Sequence, residues 1–365
     1  MVISKSTEHR PDFILLFTSI VLLLFGLLMV YNASPVTALR DFGDPFYLAR
    51  LQLIWTLVAV VAGIVAYKIN YKIFEQFAPI FMIGAILLLL AVFIPGFGVK
   101  IYGAQRWISV GGIFSIQPAE IAKLAYVAYL AALFSKKLKL TPFLVVTALV
   151  AAIVLLQRDL GTTVVISTVG LIMYFLAEAP LAHFFTIIPV GILAAAVFVL
   201  GSDYRRSRLL SFLDPTQDPQ GTSYHINQIL IALGSGGIFG VGLGQSRQKY
   251  GFIPEVTTDS IFAIVGNEFG FIGSLILIIL FAIIIIRGFQ IAKGTNDRFG
   301  KLLALGITSW IGVQTFINLA GMVALLPLTG IPLPFISYGG SSLVSVIMSV
   351  GILLNISKYT SKNTR

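Results

Sequence analysis

The chain has 365 residues, 57% hydrophobic and 11% charged, with a mean hydropathy of +0.95 and a formal net charge of +10. Soluble domains carry about 25% charged residues, so this composition excludes a soluble globular enzyme and places the chain among membrane proteins. The absence of cysteine excludes disulfides, iron–sulfur clusters and thiol catalysis, and three dispersed histidines, His9, His183 and His225, argue against a His/Cys zinc site.

A spanning helix needs about 20 largely apolar residues. In chain order such runs lie near 13–31, 50–67, 76–95, 118–134, 142–157, 160–177, 183–201, 259–287, 302–326 and 337–356, about ten in all. The first follows Lys5, His9 and Arg10 and is long enough to span, so it reads as an uncleaved helix rather than a signal peptide. The fifth and sixth are separated only by Gln157-Arg158-Asp159, which predicts an antiparallel hairpin. Between the seventh and eighth lies the largest polar excursion, about residues 202–258, rich in Gly, Asp, Pro and Arg. Inside it, His225 to Leu233 has helical apolar spacing and predicts a helix along the membrane surface. No repeat or low-complexity tract divides the chain. Residues 1–365 therefore read as one all-α polytopic membrane domain with about ten transmembrane helices and one large extracytoplasmic loop.

Basic residues set the orientation. With both termini inside, inner segments hold 14 Lys and Arg and outer segments hold 10, five of which lie in the long 202–258 segment. Long loops count weakly in this rule, so the termini are expected to be cytoplasmic. The net positive charge is accounted for in this way. No basic run is interleaved with aromatics, so nucleic acid is not an expected partner.

On that topology the polar motifs fall on one face. Gly103-Ala-Gln-Arg106-Trp107 lies outside between the third and fourth spans, and Asp159 opens the sixth. Arg205, Arg206, Arg208, Arg247 and Lys249 lie in the outer loop. Asp259 opens the eighth span, and Ser337-Tyr-Gly-Gly-Ser341-Ser342 enters the tenth. Ionisable groups at membrane depth are costly and default to functional readings with a named partner. Asp259 reads as a carboxylate at a cavity mouth acting as a base, or as a first-turn acid behind a Thr258 cap. Glu120 and Lys123 share a helix face, with Glu120 serving the helix dipole or an ion pair and Lys123 needing either Glu120 or a pyrophosphate. Asp159 is a site acid or an N-cap, and Glu268, half a turn out of phase with Asp259, reads first as structural. The glycines from Gly234 to Gly244 allow close backbone approach or positive φ, or cradle a phosphate. No nucleotide-binding loop is present, so a donor on the outer face must arrive already activated, as a lipid pyrophosphate sugar does.

The motifs Gly103–Trp107, Phe114-Ser-Ile-Gln117-Pro-Ala-Glu120-Ile-Ala-Lys123, Asp159–Thr162, Phe212–Pro215, Gly240–Gly244, Thr258-Asp259 and Pro332–Leu343 occur in this order. As a set they resemble the shape, elongation, division and sporulation proteins FtsW, RodA and SpoVE over nearly the whole chain. Gly244–Lys249 and Thr329–Phe335 look more like FtsW and SpoVE than RodA. The resemblance implies ten helices and a peptidoglycan glycosyltransferase that polymerises lipid II into β-1,4 glycan, releasing undecaprenyl pyrophosphate. It implies that Asp259 is the essential aspartate, that Trp107 is the loop tryptophan, and that Glu120, Lys123 and Asp159 are family-typical polar positions. A divalent cation, Mg or Mn, held at Asp259 follows by the same route. So do a class B penicillin-binding transpeptidase and other divisome or elongasome proteins as partners, in the bacterial cytoplasmic membrane. Two departures stand out. The usual His-Thr-Asp-Phe is Thr257-Thr258-Asp259-Ser260 here, and Gly-Glu-Glu-Leu-Gly is Gly266-Asn267-Glu268-Phe269-Gly270. The mechanism expected on this reading has Asp259 activate the acceptor hydroxyl while basic groups among Lys123, Arg205, Arg206, Arg208, Arg247 and Lys249 hold the leaving pyrophosphate. The rival readings are a lipid II flippase and a non-catalytic divisome scaffold.

Overall fold

The computed structural model describes residues 10–101, 104–111, 114–201, 206, 207, 210, 212 and 223–360. Its long helices are α1 (Phe13–Ala33), α3 (Tyr47–Lys68), α5 (Ala78–Ala91), α6 (Pro118–Lys136), α7 (Leu140–Leu156), α8 (Leu160–Leu176), α9 (Leu181–Leu200), α11 (Ile261–Gly294), α12 (Arg298–Met322) and α13 (Gly340–Ser357). Each falls on one of the apolar runs found in the sequence. Six of them are long and apolar enough to cross a membrane by themselves. Three shorter apolar helices, α5, α7 and α8, add to these. Helix α6 carries the Glu120–Lys123 pair within its span, which is why its apolar signal is weaker. Shorter helices α2 (Pro35–Phe42), α4 (Lys72–Gln76) and α10 (Tyr224–Gly236) connect or cover the bundle.

The core is built where small residues let backbones close. Helices α3 and α13 pack along one another, and a Cβ on Gly351 would lie 2.3 Å from the carbonyl oxygen of Gly63. Such small-residue crossings replace the hydrophobic drive that lipid cannot supply. Helices α12 and α13 are mostly enclosed, whereas the apolar window of α9 has no buried residue and lies at the periphery.

The two ends of the bundle differ. At the end bearing both termini, Asp12 caps α1 by accepting Leu15 N–H and pairs with Arg287 of α11. Asn355 there accepts Tyr71 N–H at 3.0 Å. The opposite end carries a three-stranded antiparallel sheet in order β1 (Gly98–Ile101), β2 (Ala104–Val110), β3 (Phe114–Ile116). The sequence reading left this stretch as a connection between spans. Its β-branched and aromatic residues Val99, Ile101, Trp107 and Ile108 suit a pleated ribbon.

Helix α11 is broken at Gly270, whose φ of 66° and ψ of −163° are not helical. The glycine-rich stretch after α10 fits into the break. Val241 and Gly242 N–H donate to the Asn267 and Glu268 carbonyls, both at 3.0 Å. In return Phe271 and Ile272 N–H donate to Gly237 and Ile238 carbonyls at 2.9 and 3.1 Å. A Cβ on Gly240 would sit 2.1 Å from the Glu268 oxygen, and one on Gly270 would sit 2.3 Å from Gly240 N. These glycines therefore serve close backbone approach, and the backbone groups freed by the break are satisfied within the protein, as an apolar surrounding demands.

Candidate functional site

The site is assembled from three polar clusters, with a fourth standing apart from them. The deepest lies between α6 and α12. Lys123, only 2% exposed, donates to Glu120 Oε1 at 2.8 Å and to Gln314 Oε1 at 2.6 Å. Its ammonium also lies 5.1 Å from the Trp310 ring centre. Trp310 Nε1–H donates to the same Gln314 oxygen at 2.8 Å. A buried ammonium requires this degree of compensation. Glu120 is thus one partner of Lys123, and Gln314 and Trp310 complete the shell.

The second cluster sits one step outward. Asp159 caps α8 by accepting Thr162 N–H at 3.0 Å on Oδ1. Its Oδ2 accepts Thr162 Oγ1–H at 2.9 Å and the Gln117 amide at 3.2 Å. Arg106 of β2 approaches that oxygen to 4.0 Å and also donates to the Arg158 carbonyl. The capping role of Asp159 is thus realised, together with a tie to the sheet. Ser341, at the start of α13, accepts Gln117 N–H at 2.9 Å and so fixes the entry into α6. Ser342 is buried one residue on. Trp107 follows Arg106 on β2 and is half-buried on the opposite face of the strand.

The third cluster centres on Asp259, 7% exposed. Helix α11 begins at Ile261 with Ser260 at the cap position, so Asp259 stands before the helix and not in its first turn. Thr258 is not the cap either; its hydroxyl donates to Glu255. The cap position of α11 thus belongs to Ser260, one residue after Asp259. Asn318 holds the main chain here, donating to the Asp259 and Ile331 carbonyls, both at 2.8 Å. The Asp259 carboxylate accepts the Ser260 hydroxyl at 3.3 Å, and that hydroxyl lies 2.8 Å from His225 Nε2.

The irregular segment 329–338 runs through the middle of this arrangement with Leu333, Phe335 and Ile336 buried. Non-helical backbone at such depth needs internal partners. Gln314 and Asn318, one turn apart on α12, supply them by donating to the Pro332 and Ile331 carbonyls at 2.9 and 2.8 Å. Tyr338 N–H donates to the Thr257 carbonyl at 2.8 Å, tying the segment to the Asp259 turn.

The fourth cluster is separate. Lys249 donates to Glu268 Oε1 at 3.3 Å, Asn32 Oδ1 at 2.9 Å and the Gly244 carbonyl at 2.8 Å. Glu268 therefore has the structural role expected for it. Lys249 is buried, with its ammonium on these three acceptors. Arg206 and Arg247 are exposed. Arg205 and Arg208 lie outside the described residues. Among the described residues no three His, Asp or Glu side chains come together as a metal cage.

Sequence reasoning missed Gln117, Gln314, Asn318, Ser260 and His225 as members of the site. For Gln314 and Asn318 a signal existed: two carboxamides four residues apart inside an apolar span. The partners of Gln117 and His225 are set by long-range packing and leave no local trace.

A family model described as cell cycle protein, covering FtsW, RodA and SpoVE, matches residues 13–362. Stage V sporulation protein E of Bacillus subtilis (strain 168) is 42% identical over 361 residues, covering 97% of this chain and 98% of its own. "Probable peptidoglycan glycosyltransferase FtsW" of Geobacter metallireducens is 40% identical over 357 residues, covering 96% and 95%. Among solved structures, a chain from a peptidoglycan synthase complex that coordinates polymerization and crosslinking superposes with a TM-score of 0.78 at 24% identity, covering 95% of this chain and 97% of that one. That likeness shows the fold.

Proposed function

This chain belongs to the FtsW/RodA/SpoVE family of cell cycle proteins, and from that premise we infer that it is a peptidoglycan glycosyltransferase polymerising lipid II at the sheet-bearing end of the bundle. The observation that carries the placement is Asp259. It is a nearly enclosed carboxylate just before the first turn of α11, with its backbone clamped by Asn318. In the proposed reaction the Asp259 carboxylate takes the proton of the acceptor sugar hydroxyl. That oxygen attacks the anomeric carbon of the donor, the bond from that carbon to the pyrophosphate oxygen breaks, and the electron pair leaves with undecaprenyl pyrophosphate. Attack opposite the leaving group inverts the anomeric centre.

Charge must be stabilised where it develops. Lys123 and Lys249 are already spent on Glu120, Gln314 and Glu268, so Arg106, Arg206 and Arg247 are the described cations proposed to meet the pyrophosphate. Trp107, beside Arg106, is proposed to line the sugar path. Among the described residues, which offer no cage of three ligating side chains, Asp259 is the one proposed to hold a divalent cation. Magnesium commonly binds through one or two carboxylates plus substrate phosphates. When bound it would neutralise phosphate charge. The proposed partner is a class B penicillin-binding transpeptidase, which would crosslink the strand as it emerges.

Purified chain supplied with fluorescent lipid II is expected to make glycan polymer, with yield raised by the transpeptidase partner and lowered by EDTA. Lipid II scrambled across vesicles without any polymer, with or without the partner, would overturn the reading.

Both termini are proposed to be cytoplasmic and the sheet-bearing end to face outward. The chain has no cysteine, so a single Tyr250→Cys at an exposed position of that end is a clean reporter. A membrane-impermeant maleimide is expected to label it on intact cells. Labelling only after permeabilisation would reverse the orientation.

A further inference from the structure

The strongest unassigned feature is the link from α10 to Asp259. Ser260 occupies the cap position of α11, yet its side chain makes no capping bond. A serine there ordinarily turns its oxygen to the first-turn N–H groups. Instead the Ser260 hydroxyl, which is completely buried, lies 3.3 Å from Asp259 Oδ1 and 2.8 Å from His225 Nε2. A hydroxyl has one proton to give. Given to the carboxylate, it leaves the Ser260 oxygen to accept from His225, which sets Nε2 as the protonated ring nitrogen. His225 stands in the first turn of α10, and α10 packs against α11. The contact therefore joins two elements that are 35 residues apart in sequence at this point.

We propose that His225 is a positioning residue for Asp259, acting through Ser260: the imidazole fixes the direction of the Ser260 hydroxyl, and that hydroxyl fixes the plane of the Asp259 carboxylate. Burial keeps water from setting the hydroxyl in place of His225. Without the imidazole, the hydroxyl is released to backbone acceptors or cap donors and the carboxylate loses the bond from Ser260. Oδ1 is the oxygen that meets the Ser260 hydroxyl, and Oδ2 lies toward Gly330, where a Cβ would be 3.8 Å away. The inference rests on the reading of Asp259 as the group that activates the acceptor.

The test is steady-state polymerisation by the full chain, in complex with its transpeptidase partner, on lipid II. The variants are His225→Ala, His225→Gln, Ser260→Ala and the Ala/Ala double. Misplacement of a reacting group costs up to about 10²-fold in rate. His225→Ala and Ser260→Ala are each expected to lower kcat by about 10- to 100-fold with KM for lipid II and the melting temperature unchanged. His225→Gln, which keeps an N–H donor, is expected to recover most of kcat. The double variant is expected to be no slower than the slower single. Unchanged kcat in His225→Ala would overturn the proposal. So would equal loss in the Ala and Gln variants, or singles whose effects multiply. Should His225→Ala fail to fold, His225→Gln and Ser260→Ala carry the same comparison through the KM and kcat split. Failure of the parent reading is seen separately, as polymer made by Asp259→Asn at the normal rate.

Discussion

Asp259→Asn is expected to reduce glycan polymerisation by about 10²- to 10⁴-fold, the usual contribution of a positioned base. Asparagine keeps the volume and can still accept the Ser260 hydroxyl, so packing around the turn should hold. The Asn318 bond is made to the backbone carbonyl of residue 259 and is untouched by the change. Lipid II binding and the melting temperature should therefore match the wild type, while product formation in a gel assay of labelled glycan disappears. The size of the effect separates this residue from the other acids nearby. Asp159 is a cap and Glu268 a partner of Lys249, so their loss acts first on folding. Near-normal polymer from the Asp259→Asn protein would remove the carboxylate from the mechanism.

Lys123→Met should be the most destabilising single change in the polar core. It removes the partner from Glu120, a buried carboxylate whose second oxygen already has no hydrogen bond. Stranding one member of a buried ion pair typically costs about 3–5 kcal/mol. The loss also takes one of two donors from the Gln314 amide oxygen and the cation from beside Trp310, and Gln314 is what holds the Pro332 carbonyl. A marked fall in the melting temperature in detergent is expected. Pairing the change with Glu120→Gln should recover much of it, since no charge is then left buried. A single variant that melts like the wild type would show that the cluster contributes nothing to stability.

The spans were legible because each is a run of apolar residues bounded by charge or proline, and the bilayer permits little else to cross. The ends of α6, α8 and α13 were readable for a similar reason: Pro118, Asp159 and the Ser341-Ser342 pair are local start signals. The break at Gly270 was not. Residues 261–294 are apolar on both sides of it, and one glycine in such a run is tolerated in a continuous helix. Only the arrival of Gly237–Gly242 reveals why it bends there. The same limit hid the commitment of Lys249, whose partners Asn32 and Glu268 lie 217 and 19 residues away. The Asp259 motif was visible as a string of letters. What surrounds it was not, because His225 and Asn318 come from different elements brought there by packing.

The clasp between the glycine-rich stretch and the broken α11 has a mechanical result. Four backbone bonds, two in each direction, lock residues 237–242 onto residues 267–272. The chain between them, with the Asp259 turn at its crest, is a staple whose legs are welded to one helix. The turn is thereby anchored to the long half of α11, the same half whose Arg287 pairs with Asp12 of the opposite end.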